Sequence, residues 1–368
     1  PPAPELTGDP TRPLLTDASA ADYTIAKYLA QAGQLPTLTT DNWDPTAGLG
    51  DVSAFTPTYT VAADGSGTHP TVQAAIDAAI AAGGTDRVYI LVKPGSYREV
   101  VCAKSANLPI TIYGADADAT LVEIVFNNYA SKPTDTSVNP CKPPSAGAAT
   151  YGTSASATFA AFAPGFQLKN LTIANDFGAD GQAVALMAQG DQQVFENVRL
   201  LGLQDTFYIP SPTTLNVTRA YVKDSYIEGT TDFIFGRATV VLDGCTLNYK
   251  MVKPNTLLAP STAAKNVYGM LVINSTLSAD PGTADNVAHL GRAWDESVGC
   301  YQLGVSPNGQ AVIRDSVIGS FLNVSAPWIA AATTARAFDG TENRLWEYNN
   351  SGPGAAPSDG AAGAPDMP

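Results

Sequence analysis

A short unit repeats along this chain and restricts its fold more than any other feature: an apolar approach, one small polar corner residue, and an apolar exit. It reads QLKNLTI, VFENVRL, YVKDSYI, VLDGCTL, VINSTL and VIRDSVI, with Asn170, Asn197, Asp224, Gly244, Asn274 and Asp315 at the corner. Corners recur roughly every 20 to 40 residues, a period typical of stacked repeats. A unit made only of strand and corner cannot bury its own apolar face, so it must stack on its neighbours. That predicts an all-β solenoid, a parallel β-helix. Uneven spacing then maps to loops of different length on one side, where a binding groove is built. A β-sandwich is the competing architecture.

The strand pattern starts at Val88 with VYILV and then ITIYG. Ahead of it, VAADGSGTHPTVQAAIDAAIAAG places a Gly-rich turn before a helix whose Val72, Ile76 and Ile80 recur at helical spacing. This helix is suited to capping one end of the solenoid. Residues 1–55 are rich in Pro, Thr and Ala, with an amphipathic helix predicted over 21–32 that sets Ile25, Tyr28 and Leu29 on one face. They read as an extension packing on a β-helix domain over 56–355. Residues 127–156 are polar and proline-bearing and read as an insertion loop, and 356–368 form a Gly/Ala/Pro/Asp-rich tail expected to be poorly ordered.

Composition narrows the function. A formal net charge of −14 argues against nucleic acid or an anionic membrane as partner, because either needs a basic surface. No apolar run approaches the roughly 18 to 20 residues that span a bilayer, and the start at PPAPEL, without Met or a signal-like segment, reads as a trimmed mature chain. The four cysteines show no metal-ligand spacing, so no metal or other cofactor is expected. Sequons at Asn170, Asn216, Asn274, Asn323 and Asn349 are compatible with a glycosylated secreted protein.

Two segments set acids and amides beside aromatics: GLQDTFY, with Gln204 and Asp205, and TDFIFG, with Asp232. An ionised carboxylate in such an apolar run is costly unless paired. Either aspartate alone could simply cap a turn. In successive coils of a solenoid, however, equivalent positions lie only about 5 Å apart, and two carboxylates so placed can share a proton and divide acid and nucleophile roles. A third segment, HLGRAWDE, carries Arg292 and Trp294 two residues apart. Arg292 could pair with a catalytic carboxylate and Trp294 could stack on a sugar ring, or the two could be a surface Arg beside a half-buried Trp. Gln182, in GQAVALMAQGDQ, could donate to an oxyanion. With only His69 and His289 present and no GxSxG elbow, a Ser/His/Asp hydrolase is a poor fit.

These segments, in order along the chain, resemble the pectin methylesterase (pectinesterase) family: VAADGSGTHPTVQAAI, GSYREVV, QAVAL, GLQDTFY, YIEGTTDFIFG, LGRAW and WEYNNSGPGA. The resemblance implies a right-handed parallel β-helix and removal of C6 methyl esters from polygalacturonate by a secreted, extracellular, monomeric enzyme that modifies cell-wall pectin. It assigns Asp232 as nucleophile, Asp205 as acid then base, Gln182 and Gln204 as oxyanion donors, and Arg292 as the group orienting Asp232. Trp294 would line the sugar subsites, with Phe207 and Phe235 on the groove wall or packed behind it. Alternatives on the same scaffold are another esterase or thioesterase, or a carbohydrate-binding protein without catalysis.

The departures from the family pattern are Ala293 in place of the usual Pro, and Ser225 where many members carry a Cys that pairs with the one matching Cys245. Cys245 must then be free or pair elsewhere, with Cys300 as candidate, while Cys102 and Cys141 are expected to clamp the insertion loop. The net charge predicts early release of the anionic product if the groove shares its sign, and sequential attack if the groove is locally basic.

Overall fold

Each corner picked out by the repeat adopts a left-handed backbone, with φ of 57° at Asn170, 49° at Asn197, 48° at Asp224, 66° at Gly244, 52° at Asn274 and 48° at Asp315. Asn, Asp and Gly visit this region at least cost, which is why they alone occupy the corner. In the computed structural model, which describes residues 3–104, 107–178, 181–251, 255–296 and 298–356, the corners stack in a column along one edge. Within that column Asn197 Nδ2 donates to Asn170 Oδ1 at 2.8 Å, and Asn349 Nδ2 donates to Asp315 Oδ1 at 2.7 Å.

The corner bends each repeat between two faces of a solenoid. Strands before it, such as Arg219–Lys223, Thr239–Asp243 and Met270–Ile273, pair in parallel on one face; strands after it, such as Tyr226–Gly229 and Thr246–Tyr249, pair in parallel on the next. A third face holds Val101–Ala103, Phe159–Ala161, Leu186–Ala188, Phe207–Ile209, Ile234–Gly236, Thr256–Pro260 and His289–Gly291, also parallel. Inward side chains from all three faces meet in one core, where Phe195 and Phe207 touch edge to face at 6.0 Å. The architecture is the parallel β-helix predicted from the repeat, not a sandwich.

Both ends are closed. The helix Val72–Ala82 covers one end with Val72, Ala75, Ile76 and Ala79; Thr71 caps it, and Glu99 accepts the free N–H groups of Val72 and Gln73. At the other end Arg12–Leu15 adds a parallel strand beside Arg344–Tyr348. Arg12 forks onto buried Glu347 there, with Nε to Oε1 and Nη2 to Oε2 both at 2.8 Å.

The helix expected over 21–32 is shorter, Ile25–Ala30, because the chain turns at Gln31 into a hairpin of Gln31–Gln34 with Thr37–Thr40. Its Tyr28 and Leu29 are fully buried against the outward side of the pre-corner face, among Tyr221, Val241, Leu271 and Val312. Arg219 locks this layer down by bonding Asp41, Asp191 and the Leu29 carbonyl. The insertion 127–156 forms no strand, and a Cys102–Cys141 disulfide ties it to the third face. The suggested Cys245–Cys300 pair does not form: Cys245 is buried in the corner region next to Ser225, while Cys300 is exposed. Of the expected tail, residues 357–368 lie outside the described residues.

Candidate active site

The third face of the solenoid carries the two aspartates. Asp205 and Asp232 each precede one of its strands, with left-handed φ of 67° and 46°. Phe207 pairs with Ile234, so the aspartates occupy equivalent positions on adjacent rungs, roughly 4.8 Å apart along the ladder. Their backbones are tied to the next rungs: the Asp205 N–H donates to Thr231 O at 3.1 Å, and the Asp232 N–H to Thr256 O at 2.8 Å.

The two carboxyl groups differ in environment. Asp232 receives Arg292 Nε at 3.0 Å on Oδ1 and Nη2 at 2.6 Å on Oδ2, and the Thr256 hydroxyl also donates to Oδ1. A bidentate guanidinium supplies countercharge and fixes the carboxylate plane. Asp205 is 3% exposed and has no such fork. Burial first, and the negative charge of Asp232 second, push its carboxyl well above the usual aspartate range, and the Arg292 charge and a hydrogen bond from Gln182 only partly oppose them. It therefore keeps its proton where an ordinary aspartate has lost it.

Gln182 and Gln204 face one another across a parallel bridge beside the aspartates. Thr153 of the insertion donates its hydroxyl to Gln182 Oε1 at 2.7 Å, which leaves the Gln182 amide N–H groups turned toward the acid. Thr153, Gln182, Gln204, Asp205, Asp232 and Arg292 open into one cleft of about 550 Å³, within the usual range for ligand sites. Lys142, Tyr151 and Thr153 of the insertion form one wall, and Ala332 and Thr333 lie in another.

Trp294 and Phe235 line this cleft. Phe207 does not: it is 0% exposed and points into the solenoid core. The cleft aromatic on that strand is Tyr208, stacked on Phe235 with centroids 4.4 Å apart and planes 8° from parallel. Aligning the two segments on their aspartates would have found it, since Asp205 matches Asp232 and Tyr208 then falls on Phe235. Thr256 and Thr153 were also missed; both act from other rungs, and no local motif marks them.

Fold and site together define a class, the parallel β-helix enzymes whose cleft is centred on a pair of aspartates. The chain belongs to the pectinesterase family, whose model matches residues 58–360. A pectinesterase of Ralstonia nicotianae is 47% identical over 95% of this chain and 93% of its own. Among solved structures, rice weevil pectin methyl esterase superposes with a TM-score of 0.82 at 33% identity, covering 96% of this chain and all of the weevil chain. Escherichia coli YbhC, described as a putative acyl-CoA thioester hydrolase, gives 0.81 at 30% identity over 96% of this chain and 98% of its own. The fold is thus the right-handed parallel β-helix that the resemblance implied.

Proposed function

We propose that the chain demethylates pectin, with Asp232 as nucleophile and Asp205 as acid and then base. The observation that carries the division of labour is the unequal pair: one aspartate gripped by Arg292, its neighbour on the adjacent rung buried without such a fork, where burial and the charge of Asp232 raise its carboxyl. An Asp232 oxygen attacks the C6 ester carbonyl, and the carbonyl electron pair moves to oxygen, where the amide N–H groups of Gln182 and Gln204 stabilise it. Collapse expels the methoxy group, which takes the Asp205 proton and leaves as methanol, so the acyl group is held as a mixed anhydride on Asp232. Asp205, now ionised, removes a proton from water as the water oxygen attacks the anhydride. The second collapse frees the galacturonic acid and restores the Asp232 carboxylate and the Asp205 proton. Trp294, Phe235 and Tyr208 supply the apolar platform for the sugar rings.

The reading keeps residues 1–55 as an extension and 56–355 as the β-helix domain; the family match, over 58–360, supports it by leaving the extension outside. The Cys102–Cys141 disulfide favours secretion, since such bonds persist in oxidising compartments. The enzyme then works outside the cell, as a monomer, on cell-wall pectin. Glycosylation fits Asn216 or Asn323 better than Asn170, which is 4% exposed with its amide donating to Gly114 O.

The test is methanol release from esterified pectin, with a short-chain ester and an acyl thioester run in parallel because of the likeness to YbhC. Pectin should be the preferred substrate, and Asp232→Asn should abolish turnover. A variant that kept more than a few per cent of the activity, or a preference for the thioester, would overturn the assignment.

A further inference from the structure

The charge of the cleft does not follow the charge of the molecule. The chain carries a formal −14, yet Asp232 and Arg292 cancel one another at the cleft floor and Asp205 is buried beside them. The remaining charged side chain on the lining is Lys142, which has no acid partner among the described residues. Its position is braced. It follows Cys141, which is bonded to Cys102, and precedes Pro143 and Pro144, whose rings restrict the backbone. The same turn is pinned by Asn139, whose Nδ2 donates to Val101 O at 3.2 Å and to Ala157 O at 3.0 Å. An exposed lysine is thus anchored by its braced backbone at the wall of a cleft whose polymer gains a carboxylate at every turnover.

We propose that Lys142 is a specificity-determining residue: its ammonium binds the free carboxylate of a galacturonate unit next to the ester being cleaved. The inference rests on pectin being the substrate. Esters beside an already freed acid are then preferred, and acids accumulate in runs along the polymer. The overall negative charge, taken alone, predicts scattered acids and early release.

The experiment compares KM for methanol release from a highly esterified and a partially de-esterified pectin, in wild type and in Lys142→Gln, Lys142→Glu and Lys142→Arg. At low salt, Lys142→Gln should raise the ratio of KM on partially to highly esterified pectin by about two- to fivefold, the worth of a solvent-exposed ion pair. Charge reversal should raise it further and arginine should preserve it. In about 0.5 M salt, with a screening length of about 4 Å, the difference should vanish. A merely structural role would not respond to salt in this way. NMR of the product should show acid runs that shorten in the glutamate variant. An unchanged KM ratio in all three variants would overturn the proposal while leaving pectin demethylation intact. Absence of methanol release by the wild type from either pectin would overturn the functional reading, and this inference with it.

Discussion

Of the carboxylates in this molecule that an arginine fork holds, Glu347 and Asp232 stand at opposite extremes of purpose. Glu347 at the sealed end of the solenoid receives both arms of Arg12, and Asn350 donates to it as well. The spare donors of Arg12 go to the carbonyls of Gly354 and Val324, so one acid meets one cation and nothing is left over. Asp232 in the cleft receives the same fork from Arg292, but Asp205 lies on the adjacent rung without one. Burial raises the carboxyl of Glu347 as it raises that of Asp205, with Arg12 opposing it. Burial alone therefore does not distinguish a site from a brace. The neighbour does: the fork on Glu347 serves a single buried acid, whereas the fork on Asp232 leaves a second buried acid, Asp205, on the adjacent rung without a fork of its own.

The sharpest way to break this contrast is Asp232→Asn, which should lower methanol release by at least about 10⁴-fold while leaving the thermal midpoint near that of the wild type. Asp205→Asn should cost about 10²- to 10⁴-fold in kcat. It should also change the pH dependence of stability. A carboxyl whose folded pKa is raised contributes stability that is full below its unfolded value and is lost as pH rises toward the folded value. Wild type should therefore lose stability relative to Asp205→Asn between about pH 4 and neutrality, and denaturation midpoints across that range test it. The falling limb of activity at high pH, where Asp205 can no longer donate, should disappear in the variant's residual rate.

At the sealed end, Arg12→Met leaves a buried acid without its cation and should cost about 3–5 kcal/mol in urea unfolding, with kcat per folded molecule unchanged. Adding Glu347→Leu should recover most of that loss; failure to recover would mean that the arginine acts through packing rather than charge. The smallest effects lie on one strand. Tyr208→Leu should raise KM by about two- to tenfold with little change in stability. Phe207→Leu should cost about 1 kcal/mol of stability and leave KM alone.

That last pair shows where the sequence was readable and where it was not. The corners were legible because Asn170, Asn197, Asp224, Gly244, Asn274 and Asp315 share one backbone demand, φ near +50° to +66°, that few residue types meet. The two aspartates were legible because each stands in an apolar run beside aromatics, and family resemblance added their roles. For Phe207 the family motif leaves groove wall and packing behind it equally open, and the left-handed turn at Asp205 decides it by turning Phe207 inward and Tyr208 outward. Thr256 and Thr153 reach the site from other rungs, and their partners Asp232 and Gln182 are 24 and 29 residues away. Arg12–Leu15 was unreadable as a strand for the same reason, since its pairing partner lies at the other end of the chain.

That closing strand has a consequence in time. Arg12 precedes Glu347 by 335 residues, so at roughly 5–20 residues per second the strand Arg12–Leu15 is made some 15 to 70 s before the rung it joins. Throughout that interval the growing solenoid presents an unpaired parallel edge, a surface that recruits other strands. On this face the edge is covered only when Arg12–Leu15 pairs beside Arg344–Tyr348. Formation of the strand Arg344–Tyr348 and covering of its open edge are therefore one event, and a chain cut short before Arg344 would leave Arg12–Leu15 without its parallel partner.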